Sequence, residues 1–553
     1  MAQAVKTVAE LVVNCLEAEG VEYMFGIPGE ENIRLVDATA ESGIRFILTR
    51  HEQAAAFMAD IYGRLTGRAG VCTATLGPGA INLLLGVADA QTDSTPLVAI
   101  SAQVGLDRIY KESHQIIDLE AMFRPVTKWA STMLTPAAAP EMLRKAFDMA
   151  QSERPGAVYL AIPQDVEGAE VSPDATPLPS RPAHAAGPDP DQLAEAIRLL
   201  RSAKSPIILA GHGVARVGAS DKLTELVDLL GIPVATTFMA KGVVPDRNPN
   251  ALGVVGFMRH DYENFAFDRA DVILAVGYEL QEFAPVRVNP HKDKRIIHIH
   301  RFAEDTDACY PISVNVEADI PRSLDALLDE FRREPLGKAH VEAPIRKLRD
   351  GELDSHETDD NYPLKPQRII CDIRKALGDE DLVLADTGAI KMWMARLYPA
   401  QAPLTCIISN GLSTMAFSLP GAIAAKLARP DRKVLAAMGD GSFMMNSQEI
   451  ETAVREKIPL TVLIWEDEAY GLIKWKMDLE LGHHRDVDFG NPDFVKYAES
   501  FGAKGYRIEK AGDLLPTLEK ALAEDGVSII CCPVDYSENM KLTDKLGALT
   551  DPM

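Results

Sequence analysis

The sequence predicts an α/β protein made of three doubly wound domains with parallel sheets. Short apolar runs of strand length alternate with stretches of helical periodicity along the whole 553-residue chain, the pattern of successive βαβ units. Two seams, one rich in proline and one polar, cut that alternation into three blocks, residues 1–170, 191–335 and 367–553, with 171–190 and 336–366 as linkers. Glycine and proline turns recur directly after the predicted strands, at the carboxyl edge where doubly wound sheets bind ligands.

The first block opens with Val8, Leu11, Val12 and Cys15 on one face of a helix, the mark of a domain helix rather than a cleavable leader. Phe25-Gly26-Ile27-Pro28-Gly29-Glu30 then follows a predicted strand and turns. Leu76-Gly77-Pro78-Gly79-Ala80-Ile81-Asn82 repeats that arrangement, its glycines permitting close backbone approach. Between them, residues 49–59 read as a helix start with Glu52 at the mouth of an apolar site. The first seam carries Pro173, Pro177, Pro179, Pro182, Pro188 and Pro190. In the middle block, residues 206–210, 272–276 and 296–297 are strands, and Gly211-His212-Gly213 is the turn after the first. A lone Gly-x-Gly of this kind, with no well-placed acid downstream, is weak support for a dinucleotide. His298 and His300 share a strand face with no evident third ligand, which favours core packing over metal. The last block holds a strand at 434–437, a helix with Ile450, Ala453 and Val454 on one face, and a strand at 460–465.

Hydrophobic residues make up 47% of the chain and charged residues 25%, as in soluble globular proteins. The formal charge of -24 argues against nucleic acid or an anionic membrane as partner. No apolar run reaches the ~18 residues of a membrane span. Seven cysteines without metal spacing predict reduced core thiols and a cytoplasmic location.

The chemistry concentrates in Met438-Gly439-Asp440-Gly441-Ser442-Phe443 and in Asp467, 27 residues beyond Asp440. Both aspartates stand just past predicted strands. A diphosphate is too anionic to lie beside two carboxylates unless a hard cation bridges them, and Mg2+ takes carboxylate, carbonyl and phosphate oxygens. Asp440 and Asp467 offer side-chain oxygens, while Gly441 and Ser442 offer backbone N–H groups near a helix start. Gly-Asp-Gly alone is more often a tight turn. Its topology and the spacing to Asp467 point instead to a magnesium-held diphosphate.

These residues resemble the signature of thiamine diphosphate (ThDP) enzymes, Gly-Asp-Gly followed one helix and one strand later by Asn. Asp467 stands where most relatives have Asn, a form similar to the catabolic, flavin-free acetolactate synthases. The resemblance implies pyrimidine-binding, central and diphosphate-binding domains, with Mg2+ held by Asp440, Asp467 and the backbone carbonyl of Ala469. It implies further cofactor contacts from Gly439, Gly441, Ser442, Tyr470, Gly471, Leu472 and Ile473. Glu52 would hydrogen-bond the aminopyrimidine N1′ and activate the cofactor, which carries the difficult chemistry. Pro28, Gly29, Gly77 and Asn82 fall in turns resembling cofactor-contacting segments of the same family, as do Gly388, Ala389, Ile390 and Lys391. Residues 409–415 are similar to the loop that receives the pyrimidine ring, which implies backbone contacts from Ser413 and Met415 and a Met415 side chain that props the cofactor into a bent shape.

Ser113-His114-Gln115 resembles the substrate segment of acetolactate synthases, so Gln115 would reach the reactive carbon. The reaction implied is decarboxylation of pyruvate and carboligation to a second pyruvate, giving 2-acetolactate. Another ThDP-dependent decarboxylase or carboligase, or a flavin-dependent pyruvate oxidase, is the alternative. Residues 277–283 resemble flavin-free relatives, so FAD is not expected. Trp475 and Lys476 depart from the biosynthetic pattern, which implies reduced use of 2-ketobutyrate. The family's assembly is a homodimer or homotetramer in which Glu52 and the diphosphate site of one active site come from different subunits.

Overall fold

Each block folds around a six-stranded sheet, and every strand pairing in the three sheets is parallel. The computed structural model describes residues 6–180, 185–257, 260–336 and 343–542; Pro182 of the first seam lies outside them. The first sheet contains β1 (Tyr23–Gly26), β2 (Arg45–Leu48), β3 (Gly70–Ala74), β4 (Leu97–Gln103), β5 (Trp129–Thr132) and β6 (Ala157–Pro163), in the order β2-β1-β3-β4-β6-β5. The middle sheet contains β7 (Pro206–Ala210), β8 (Val234–Thr236), β9 (Ala251–Val254), β10 (Val272–Val276), β11 (Arg295–His300) and β12 (Ile312–Glu317), in the order β12-β11-β10-β7-β8-β9. The third contains β13 (Leu382–Ala385), β14 (Cys406–Ile408), β15 (Val434–Gly439), β16 (Leu460–Glu466), β17 (Lys504–Arg507) and β18 (Val527–Pro533), in the order β14-β13-β15-β16-β18-β17. The first and third sheets therefore share one topology, whereas the middle sheet has the order of dinucleotide folds.

Central strands read as unbroken apolar runs because helices cover both faces. β4, β6 and β16 are buried at every position. Strand order reverses between β1 and β3, between β7 and β10, and between β13 and β15. The crevice outside the carboxyl ends at such a point is the natural ligand site.

The chain packs as two units, one of Met1–Ala183 with Gly411–Asp431 and Asn446–Ile458, the other of His184–Asn410, Arg432–Met445 and Pro459–Met553. In the first, helix Glu52–Thr66 is buried along nearly its whole length, packed against helices Pro78–Thr92 and Ser418–Ala428. Small residues make this approach possible: a Cβ at Gly86 would lie 2.6 Å from the Cβ of Ala56. In the second unit the middle sheet buries a separate core on each face. Phe238, Val254 and Phe257 join Ile390, Met392 and Trp393 in the core of the third sheet.

The polar seam at 336–366 is not wholly extended, since Ala343–Asp354 forms a helix. Its inward positions include arginine: buried Arg349 lies 2.7 Å from Asp246 and 2.8 Å from Asp350. Ion pairs therefore replace part of the apolar periodicity that would mark a helix in sequence. All seven cysteines are free, and all but Cys309 are buried. Among the described residues no helix is long and apolar enough to cross a membrane.

Candidate active site

The third sheet brings three turns to its carboxyl edge. β13 runs through Asp386-Thr387-Gly388 into helix Ala389–Leu397, β15 runs into helix Asp440–Asn446, and β16 passes Asp467 before helix Gly471–Leu481. The first two turns flank the point of strand reversal, and the Ser442 hydroxyl donates to the Thr387 carbonyl at 3.3 Å, tying them together. Gly388 holds φ 145°, open to glycine alone, and a Cβ at Gly439 would meet nothing within 4 Å. Space is thus left directly in front of both turns.

Asp440 is fully buried and organises this edge. Its Oδ2 accepts from the Asp467 N–H at 3.1 Å, the Glu468 N–H at 2.7 Å and Asn491 Nδ2 at 2.8 Å. Its Oδ1 accepts from the Gly441 N–H at 2.8 Å, so that donor faces Asp440 itself. Burial raises the Asp440 pKa against the pull of these bonds. Burial, then the charge of Asp440, pushes Asp467 up to about 7, with Lys474 pulling more weakly the other way. A Cβ at Gly471 would sit 2.4 Å from Asp467 Oδ2, so glycine is what allows the carboxylate its place.

Residues 468–470 are fixed by a short bridge, with the Tyr470 N–H on Val487 O and the Phe489 N–H on Glu468 O, both at 2.9 Å. Ala469, buried between them, takes no part in either bond. The Tyr470 and Phe489 rings meet edge to face over Gly441, where a Cβ would lie 2.9 Å from Tyr470. Leu472 packs on the core while Ile473 is exposed.

This donor set fits a hard divalent cation. Buried Asp440 raises the pKa of half-buried Asp467 beside it, a conflict that a cation between the two carboxylates would relieve. Among the described residues no cluster of three or more His, Cys, Asp or Glu is placed to hold a metal. The other ligands would then be a backbone carbonyl, phosphate oxygens and water, the mixed oxygen set that Mg2+ favours.

Lys391 departs from the expected diphosphate contact. It is buried, and its ammonium donates to the Ser409 carbonyl at 2.9 Å and lies 5.8 Å from the Phe238 ring centre. Ile390 is likewise in the core. What faces the crevice here is the backbone of Gly388, Ala389 and Ile390 at the start of their helix.

In the other packing unit, the first sheet presents Glu52 at the start of helix Glu52–Thr66, with His51 as its cap accepting from the Gln53 N–H at 3.1 Å. Glu52 is 9% exposed and its Oε2 accepts from Asn82 Nδ2 at 2.9 Å. A Cβ at Gly79 would lie 3.2 Å from Glu52 Oε1. The Pro28-Gly29 turn packs on Thr75, whose Cβ would be 2.3 Å from a Cβ at Gly29. Gln115 is exposed at φ 58°, its carbonyl lying against Gly77. These residues thus gather at the reversal point of the first sheet, between β1 and β3.

The loop 411–416 belongs to the same unit. Ser413 and Ala416 adopt φ 56° and 68°, a conformation that non-glycine residues keep only when surroundings impose it. The surroundings are explicit. The Gly411 N–H donates to Asp93, the Thr414 hydroxyl to Asp89 at 2.6 Å, and Asn446 Nδ2 to the Ala416 carbonyl at 2.9 Å. Asp93 also pairs with buried Arg64 at 2.8 Å. Sequence reasoning missed Asn491, Asp89, Asp93 and Asn446, because each acts on a partner far away in the chain and none carries a local motif.

The middle sheet has its own crevice, and its glycines serve packing. A Cβ at Gly211 would lie 2.3 Å from the Gly277 carbonyl, and one at Gly213 2.7 Å from His300 Nε2. Buried Glu282 accepts from the His212 N–H at 3.0 Å, the Glu279 N–H at 3.2 Å and the Thr237 hydroxyl. His298 and His300 are core residues with stacked rings, and His298 Nδ1 lies 3.0 Å from the Tyr310 hydroxyl. Burial, then the charge of Glu279, pushes Glu282 up to about 8. A carboxyl raised in the fold stabilises it below the ordinary carboxyl pKa, and that contribution is lost as pH rises through the folded value. Glu282→Gln is therefore expected to match wild type in thermal stability at pH 5 and exceed it at pH 8, by on the order of a few kcal/mol. Parallel melting curves at the two pH values check this.

Three thiamine pyrophosphate enzyme profiles match the chain: the N-terminal TPP binding domain over residues 6–122, the central domain over 193–327 and the C-terminal TPP binding domain over 386–532. The chain belongs to this family. As a ThDP-dependent enzyme, it has Glu52 in the first of these domains and Asp440 and Asp467 in the last. It is 36% identical to a probable acetolactate synthase large subunit of Methanococcus aeolicus, over 98% of this chain and 94% of the other. It is 35% identical to the acetolactate synthase of Bacillus subtilis (strain 168), over 97% and 95%. To a catabolic acetolactate synthase of Raoultella terrigena it is 34% identical, over 97% of each.

Proposed function

We propose that this ThDP-dependent enzyme is a flavin-free acetolactate synthase. It decarboxylates one pyruvate and joins the remaining two carbons to a second, taking up a proton and giving 2-acetolactate and CO2. The observation that carries the reading is buried Asp440 at the reversal point of the third sheet with Asp467 beside it, in a chain similar over nearly its full length to acetolactate synthases.

Asp440, Asp467 and the Ala469 carbonyl would hold Mg2+, and the backbone N–H groups of residues 388–390 with Ser442 would receive the diphosphate oxygens. Bound ThDP supplies a nucleophilic carbon and a sink for the electron pair released with CO2. Glu52 exchanges a proton with the aminopyrimidine N1′, and Asn82 keeps its carboxyl aimed. Ser413 and Met415 present the backbone that receives the pyrimidine, and Gln115 orients the keto acid. Exposed Tyr470 and Ile473, once covered by a second subunit, would form an apolar wall that excludes water and limits diversion to acetaldehyde, with Leu472 behind them on the core.

The exclusion of FAD is supported by Glu282, whose carboxyl already takes the His212 N–H at the turn where a dinucleotide phosphate would need donors. Exposed Ile33, Leu48, Ile81 and Leu85 in one unit, and Met444, Met445, Tyr470 and Ile473 in the other, are surface of the kind a second subunit covers. A cytoplasmic homodimer or homotetramer with shared active sites is the assembly proposed.

The test is product analysis of the purified full-length protein with pyruvate, ThDP and Mg2+ and no FAD. Acetolactate is expected as the main product, and pyruvate is expected to outcompete 2-ketobutyrate as acceptor. Acetaldehyde or acetate as main product, or turnover only after FAD is added, overturns the assignment.

A further inference from the structure

Helix Glu449–Arg455 begins with a glutamate that is fully buried, and among the described residues no cation pairs with it. Taking an isolated carboxylate out of water costs several kcal/mol unless its oxygens are well bonded, so where those bonds go shows what the residue is for. Apart from the Thr452 hydroxyl, its partners lie outside its own helix. Glu449 Oε1 and Oε2 lie 3.1 and 3.3 Å from the Arg50 N–H, and the Thr452 hydroxyl steadies Oε2 from 2.7 Å.

Arg50 lies in the three-residue link between β2 and helix Glu52–Thr66, two positions before Glu52. Its neighbours in that link have further bonds, His51 also giving its N–H to Glu449. The Thr49 N–H bonds the Gly26 carbonyl at 3.0 Å, and His51 caps the helix. The same short helix grips the strand leading into the link, since Arg455 donates to the Leu48 carbonyl and Glu456 just beyond it pairs with Arg45 at 2.6 Å. All of these groups lie within one packing unit.

We propose that Glu449 is a positioning residue that sets the height and direction of Glu52 by anchoring the backbone of Arg50. This rests on the assignment of Glu52 as cofactor activator. An acid in the first turn of a helix also has a plain role, favouring its own helix dipole, but that role needs neither full burial nor an acceptor aimed at another element. Burial pushes Glu449 up to about 7, opposed by the Thr452 hydroxyl and by the N–H groups of Arg50 and His51. An uncharged acceptor of the same shape therefore suffices for the anchor. A misplacement of ~1 Å at a reacting group can cost about 100-fold, which sets the scale of the effect.

The experiment compares wild type with Glu449→Ala, Glu449→Asp, Glu449→Gln and Glu52→Gln as full chains. Glu449→Asp keeps the charge but draws the oxygens back by one methylene, and it serves if the alanine variant does not fold. Glu449→Gln keeps an oxygen at the Arg50 N–H. Two quantities are read: backbone amide exchange over residues 49–55 in the cofactor-free protein, and the exchange rate of the ThDP C2 proton in the loaded protein. Glu449→Ala and Glu449→Asp are expected to speed amide exchange in that segment and slow C2 exchange about ten- to hundredfold. Affinity for ThDP should stay within about threefold, and Glu449→Gln should remain near wild type in both readings. Wild-type amide and C2 exchange in the alanine and aspartate variants overturns the proposal, as does a Gln variant no better than Ala. Glu52→Gln is expected to abolish C2 exchange while leaving segment exchange unchanged. If C2 exchange survives in that variant, the assignment of Glu52 fails and the catalytic part of this proposal fails with it, whatever the amide exchange shows.

Discussion

Glu52→Gln is expected to lower turnover of pyruvate by at least about 100-fold, the usual scale for a positioned acid–base group, while leaving thermal stability and Mg2+-dependent ThDP affinity nearly unchanged. Glu52 Oε2 accepts a bond from Asn82 at 2.9 Å, and a glutamine oxygen accepts the same bond. The amide nitrogen then falls on the Oε1 side, beside Gly79, where the missing Cβ leaves it space. Shape and packing survive, and only the capacity to hold or release a proton is removed. Steady-state kinetics, calorimetric ThDP titration and melting curves on one preparation check the three parts together. A variant that keeps full turnover removes Glu52 from the chemistry. A variant that loses ThDP affinity in step with turnover makes it a binding group.

The sheets and their turns were legible because they are local in sequence. Buried parallel strands are continuous apolar runs, and the turns that follow them carry the glycines and acids of the site. Asp440 and Asp467 could be paired from sequence because only a helical stretch and one strand separate them, which places both at one sheet edge. The supports were not legible. Asn491 reaches Asp440 across 51 residues and Thr414 reaches Asp89 across 325, so neither belongs to any motif. Lys391 illustrates the opposite error: its neighbours mark a ligand turn, yet the helix beginning at Ala389 rotates it into the core, where it serves the Ser409 carbonyl. The helix Ala343–Asp354 was hidden because arginine ion pairs stand in for apolar contacts on its buried side.

Asp440→Asn and Asp467→Asn are expected to differ sharply, although both remove one charge from the same pair. Asp440 Oδ2 faces three donors and Oδ1 faces a fourth, the Gly441 N–H. An asparagine must turn its amide nitrogen toward one set or the other, leaving donor against donor in a buried place. The loop carrying Asp467 and Ala469 then loses its anchor together with the cation's ligand, and Mg2+-dependent ThDP affinity should fall at least about 100-fold. Among the described residues Asp467 has no comparable set of bonds to its carboxylate; burial and the Asp440 charge push it up to about 7. Asparagine there keeps an oxygen for the cation and removes the repulsion, so affinity should stay within about tenfold of wild type. Titration of each variant with ThDP at fixed Mg2+ measures both. Equal losses would mean that the summed charge of the pair, rather than the bonding of Asp440, holds the cofactor's cation.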